Sequence, residues 1–226
     1  MNLLYLKNKY DYTQLIGSNV QVIHGGGIIR TPIVIHICGP SGAGKTTLGE
    51  KLSATFKNKL VVKDMDIIRR EFIVKTYGNK RIEHFDKKLY QNWIDKYISK
   101  QKSKILVITG LNHMPWWHKT HYYDLHADHK FYIDLDTNII FKQLCARLFK
   151  DFSIDDIMLS DLIKDNKTAL KHIKSDISNE CNYDKNVKMN NIWNNSYKKQ
   201  GYVFLSRDNI FKKVSHIINK HLKIQS

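Results

Sequence analysis

From Ile33 onward the chain alternates short, uninterrupted apolar runs with longer stretches whose apolar residues recur at helical spacing. The runs Ile33–Cys38, Leu60–Val62, Ile105–Thr109, Phe131–Leu135 and Tyr202–Leu205 are predicted strands. Apolar on both faces, they predict a parallel sheet covered on two sides. The periodic stretches predict helices over Lys45–Phe56, Asp86–Ser99, Asn138–Lys150 and Ile210–Leu222. Such alternation is the mark of an α/β domain. Ahead of it, Val20–Ile23 alternates weakly like an edge strand and Gly25-Gly26-Gly27 interrupts regular structure, so residues 1–27 read as an appendage to a main domain at 28–226. Residues 151–200 are polar, rich in Asn and Lys and only partly periodic, and read as helical or mobile with no defined bounds.

One motif lies at the junction of the first strand and first helix. Gly39-Pro40-Ser41-Gly42-Ala43-Gly44-Lys45-Thr46, followed by Thr47, fits GxxxxGK[ST] at every fixed position. The glycines let successive backbone N–H groups turn inward at a helix N-terminus, where the dipole favours an anion. Lys45 is placed to bridge the β- and γ-phosphates of a nucleoside triphosphate, and the Thr46 hydroxyl to reach Mg²⁺. ATP and Mg²⁺ are therefore the expected cofactors.

Composition adds limits. The 226 residues suffice for one domain with a core, and no apolar run approaches the ~18 residues of a membrane span. The charged N-terminal residues do not read as a signal peptide. Cys38, Cys145 and Cys181 form no CxxC pair, which fits a reducing, cytoplasmic setting without disulfides. Lys and Arg number 37 against 21 Asp and Glu, a formal charge of +16. Nearly all of that charge is lysine, and the abundance of Lys, Asn and Ile matches AT-rich coding bias, so the charge alone does not establish a nucleic-acid partner. Oligomeric state and acceptor are not legible.

What is missing narrows the class. The DxxG switch pattern of GTPases occurs nowhere, nor does an ABC signature loop. The nearest strand to a Walker B, Phe131-Tyr132-Ile133-Asp134, continues as Leu135-Asp136 and lacks the Asp-Glu pair of helicases and AAA+ motors. A small phosphotransferase remains. Gly39–Leu52, the pair Asp64 and Asp66 within Lys63–Arg69, and Phe131–Asp136 followed by a helix to Arg147 resemble P-loop kinases of the nucleoside monophosphate, shikimate and gluconate kinase group. The resemblance runs in order over about residues 31–222. It implies a three-layer P-loop NTPase fold, with a five-stranded parallel sheet in order 2-3-1-4-5, helices on both faces and a lid or insert at about 148–200.

The resemblance also implies roles. Asp64 would belong to the metal shell and Asp66 would orient and deprotonate the acceptor hydroxyl, although the residues alone leave the reverse order open. They equally leave a solvated turn with Asp66 capping the next helix. Arg69, three residues after Asp66, shares its helical face, an arrangement that also resembles polynucleotide kinases, and one of the adjacent Arg69 and Arg70 would hold an anionic acceptor group while the other is a surface charge. Arg147 would be a lid arginine, though residues 148–200 contain no other arginine, and Arg207 falls where the group contacts adenine. Thr109 stands where many relatives carry a carboxylate. Trp116 and Trp117 are candidates to stack an acceptor. His113, His118, His121, His126 and His129 match no metal-ligand spacing.

The expected activity is ATP-dependent transfer of the γ-phosphate to a nucleoside, nucleotide or sugar-like acceptor. The alternatives are a 5′-hydroxyl polynucleotide kinase and a nucleotide-gated nucleic-acid-binding protein, which keep nucleic acid open as a partner. No membrane partner is expected.

Overall fold

The computed structural model describes residues 20–22, 28–30, 32–78, 86–112, 125–151, 178 and 182–223. In chain order the elements are β1 (Val20–Val22), β2 (Ile28–Arg30), β3 (Ile33–Cys38), α1 (Lys45–Phe56), β4 (Val61–Asp64), α2 (Met65–Tyr77), α3 (Lys87–Ser99), β5 (Ile105–Thr109), β6 (His129–Ile133), α4 (Thr137–Asp151), α5 (Tyr183–Lys199), β7 (Val203–Leu205) and α6 (Arg207–Lys223). A 3₁₀ turn at Lys57–Lys59 joins α1 to β4. Strands β1 and β2 form their own antiparallel pair.

The main sheet has five parallel strands in the order β4-β5-β3-β6-β7. Counted from β3, that is the 2-3-1-4-5 order. Every residue of β3 and β5 is buried, as continuous apolar runs require when both faces are covered.

The two-residue period of a strand sorts side chains to opposite faces. Ile33, Ile35 and Ile37 join Leu48, Leu52 and Phe56 of α1 and Ile210, Val214 and Ile218 of α6. On the other face Val34, Leu106 and Ile108 meet Met65, Ile68 and Phe72 of α2 and Tyr90, Ile94 and Ile98 of α3. A third cluster, Cys38, Leu111, Tyr132, Trp193, Tyr197 and Tyr202, lies under α5.

Three strands differ from their predicted bounds, β7 only by starting at Val203 rather than Tyr202. β4 runs to Asp64, two residues beyond Val62, and pairs Asp64 with Thr109. β6 begins at His129, because the ladder pairs His129 and Lys130 with Ile35 and His36 and so recruits polar residues that an apolar run does not mark. Helices α2 and α5 are additions to the predicted set.

Candidate functional site

The carboxyl ends of β3, β4 and β5 face one edge of the sheet, the edge at which open α/β sheets bind ligands. From β3 the chain turns through Gly39–Gly44 into α1. Gly44 is the N-cap residue of α1, with φ of 78°, and α1 has neither a side-chain cap nor an acidic residue in its first turn. Every other helix among the described residues starts under a side-chain oxygen. Asp64 Oδ1 accepts from Asp66 N at 2.8 Å and Asp86 Oδ1 from Leu89 N at 2.7 Å. Asp136 Oδ1 accepts from Asn138 N at 2.8 Å, Asn182 Oδ1 from Lys185 N at 2.9 Å, and Ser206 Oγ from Asn209 N at 3.4 Å. The amides of α1 are thus left for something other than a side chain, at the positive end of the helix dipole.

That strand, loop and helix, set in the 2-3-1-4-5 sheet, decide the architecture. It is a three-layer P-loop NTPase fold.

A cleft of about 530 Å³ opens on the loop. Ser41, Gly42, Gly44, Lys45, Thr46 and Thr47 line its phosphate-loop side, Asp64, Asp66, Gly110 and Leu111 the opposite side, and Gln143 and Arg207 complete it. Gly39, Pro40 and Ala43 form the turn itself, closed by Ala43 N donating to Pro40 O at 3.1 Å. Lys45 Nζ donates to the same Pro40 carbonyl at 2.8 Å, so its ammonium lies folded along the loop. Arg207, first residue of α6, covers Gly44: a Cβ added there would come within 2.8 Å of Nη1. Thr46 and Thr47 are exposed.

The two aspartates occupy different settings. Asp64, at the end of β4, caps α2 through Oδ1, while its Oδ2 accepts from Thr109 Oγ1 at 3.4 Å. The cap therefore belongs to Asp64, where the sequence left Asp66 as the capping candidate. Asp66 projects from the first turn of α2, its side chain 76% exposed, and pairs with Arg69 Nη2 at 2.8 Å. Arg69 is only 17% exposed and also donates to the Leu111 carbonyl at 3.4 Å. It does not line the cleft but ties together two residues that do. Arg70 is exposed.

Arg147 lies in α4, and its side chain falls outside the described residues, as do Trp116, Trp117, His113, His118 and His121. Among the described residues no group of three or more His, Cys, Asp and Glu side chains could hold a metal ion. No helix among them is long and apolar enough to cross a membrane.

Several residues of this edge escape sequence reasoning. Gln143 lines the cleft from α4, and its Oε1 is buried with no hydrogen-bond partner. Its only signal is a polar side chain between Ile140 and Leu144, both buried. Cys38, just before the loop, is buried, and burial pushes its thiol up to about 11 despite a hydrogen bond with Tyr197, which keeps the thiol neutral near pH 7. His36 is buried in the middle of β3, and burial drives its pKa down to about 4, with nearby Lys130 adding to the effect.

No protein-family model and no curated protein matches the sequence. Among solved structures the chain is similar to an uncharacterized protein from Eubacterium ventriosum, at 17% identity over 83% of this chain and 98% of that one, with a TM-score of 0.42. It is similar to a shikimate kinase from Acinetobacter baumannii in complex with shikimate, at 12% identity over 84% and 95% of the two chains, with a TM-score of 0.38. A shikimate kinase from Bacteroides thetaiotaomicron matches at 13% identity over 83% and 98%, with a TM-score of 0.36.

Proposed function

We propose that the chain is a Mg²⁺- and ATP-dependent kinase that transfers the γ-phosphoryl group to a hydroxyl of a small acceptor, a nucleoside, nucleotide or sugar-like metabolite. The observation that carries this reading is one cleft with an uncapped, glycine-turned helix start and Lys45 on one side and Asp64 and Asp66 on the other. In-line transfer needs such opposed faces, one for the donor phosphates and one for the acceptor.

Hard oxygen donors fit the metal. Mg²⁺ takes one or two protein oxygens and completes its shell with phosphates and water, and Thr46 and Asp64 offer that set. Bound there, it would neutralise charge on the phosphates. The remaining work belongs to the chain. Lys45 exchanges the Pro40 carbonyl for the phosphate oxygens, a swap of a neutral acceptor for a charged one. Asp64, with Oδ1 committed to the cap, keeps its orientation and presents Oδ2. Asp66 is the exposed carboxylate, and it orients the acceptor hydroxyl and takes its proton as the new P–O bond forms. Arg69 holds the Asp66 carboxylate aimed. Arg207, beside Gly44, suits the nucleotide base end of the cleft.

The test is to incubate the protein with γ-labelled ATP, Mg²⁺ and a panel of nucleosides, sugars, shikimate and 5′-hydroxyl oligonucleotides. Label on a small hydroxyl compound, lost in Lys45→Ala, is the expected result. Label confined to the oligonucleotide would make this a polynucleotide kinase, a reading that the Asp66–Arg69 pair also accommodates. Tight, salt-sensitive oligonucleotide binding without transfer to any compound would replace the kinase by a binding protein.

A further inference from the structure

A histidine in the central strand of a parallel sheet is out of keeping with its neighbours: Ile33, Val34, Ile35, Ile37 and Cys38 surround His36 in β3, and all are buried. Its ring is fully enclosed and does not line the cleft. Both nitrogens are engaged. Nε2 lies 2.8 Å from the Gly110 carbonyl oxygen, and Nδ1 meets the Tyr202 hydroxyl. A carbonyl only accepts, so Nε2 carries the proton and Nδ1 receives the Tyr202 O–H. The neutral ring that this tautomer requires is the form that burial enforces.

Gly110 is where β5 leaves the sheet and enters the cleft wall. Its φ of 114° turns the chain, and a Cβ there would come within 3.0 Å of Met65 Cβ. β3 grips both of its polar groups: Gly110 N donates to Ile37 O at 3.1 Å, and His36 donates to Gly110 O. The next two residues are held as well. The Leu111 carbonyl accepts from Arg69, and Asn112 Oδ1 accepts from Tyr197 O–H at 2.9 Å. Three consecutive residues are thus each fixed by a different side chain. The path from β3 to the acceptor carboxylate is continuous: His36 to Gly110, Leu111 carbonyl to Arg69, Arg69 to Asp66.

We propose that His36 is a positioning residue for the acceptor half of the cleft, setting the Gly110–Leu111 backbone and through it the Arg69–Asp66 pair, while leaving nucleotide binding alone. The proposal rests on the kinase reading for its kinetic consequence but not for its geometry. An apolar residue at position 36 would fill the same space yet leave the Gly110 carbonyl without its donor, so Leu111 and Arg69 would lose their fixed register. Glutamine places an amide N–H near the position of Nε2 and so serves as the conservative variant.

The experiment uses the full chain as wild type, His36→Leu, His36→Gln and Tyr202→Phe, the last keeping the ring and removing only the hydroxyl that supports His36. With γ-labelled ATP and whichever panel compound accepts label, His36→Leu should raise the acceptor KM about tenfold, the scale of one buried hydrogen bond, with the KM for ATP unchanged. His36→Gln should return the acceptor KM to within about threefold of wild type, and Tyr202→Phe should fall between them. In parallel, NMR of the arginine side-chain N–H groups reads Arg69 directly, with Arg69→Lys assigning the signal. Its restricted guanidinium rotation should be lost in His36→Leu and kept in His36→Gln. If no compound accepts label from the wild type, the kinase reading fails and the Arg69 signal alone decides. Unchanged Arg69 rotation in His36→Leu and Tyr202→Phe, or equal losses for ATP and acceptor, would overturn the proposal.

Discussion

Asp64 and Asp66 stand two residues apart and meet different physics. Asp64 spends one oxygen on a helix cap and lies beside a threonine hydroxyl, whereas Asp66 stands in solvent against an arginine. A group held in place suits a metal shell, and an exposed one suits a mobile acceptor. Asp66→Asn keeps the shape and removes the basic oxygen. Turnover is expected to fall by about a hundredfold or more, with Mg-ATP affinity by calorimetry within about twofold of wild type. Near-normal turnover would remove Asp66 from the chemistry. Gly44 carries two constraints at once, a φ of 78° and the overlying Arg207. Gly44→Ala should therefore weaken nucleotide binding and destabilise the fold by roughly 1–2 kcal/mol in denaturant titrations, through left-handed strain and contact with the arginine.

At the scale of elements, the residues of β3, α1 and β5 are legible in the sequence to their ends, because continuous apolar runs and the GxxxxGK[ST] turn punctuate them. The harder elements have physical reasons. α2 follows β4 with no intervening loop, so the strand and helix patterns overlap at Asp64 and Met65. α5 is rich in Asn and Lys, and only Asn190, Trp193 and Tyr197 are buried, a stripe too narrow to announce a helix. The site divides in the same way. Its phosphate loop is a local pattern and could be read directly, while Gln143 reaches the cleft through the packing of α4, and His36 lies against Gly110 at the cleft wall through sheet register, neither of which a linear sequence displays. The narrow stripe of α5 makes a sharp prediction. Trp193→Ala should cost about 3–5 kcal/mol in unfolding free energy, as for other large aromatic truncations, because the cluster of Tyr132, Tyr197 and Tyr202 loses its largest member from this helix.

For the molecule as a whole, folding makes two of the described histidines harder to protonate. His36 drops from 6.5 to about 4 on burial, and His129 moves in the same direction, mainly through burial, with Asp128 opposing. The unfolded chain takes up protons that the folded chain refuses, so stability is fully present above the unfolded value and falls as pH drops from 6.5 towards 4. For His36 the loss is on the order of 3 kcal/mol. Urea midpoints measured between neutrality and pH 4 should fall more steeply for wild type than for His36→Gln, and parallel slopes would show that another group governs acid sensitivity.

The uncapped start of α1 has a thermodynamic counterpart. Every other described α-helix brings its own first-turn side-chain acceptor, and α1 has none, which leaves its start to an anion such as the triphosphate of the proposed reading. Ligand then counts as a missing part of the fold, and each tenfold rise in free Mg-ATP above its dissociation constant adds about 1.4 kcal/mol to unfolding. The melting temperature should climb with the logarithm of triphosphate concentration, and the protein's survival on heating would report how much nucleotide surrounds it.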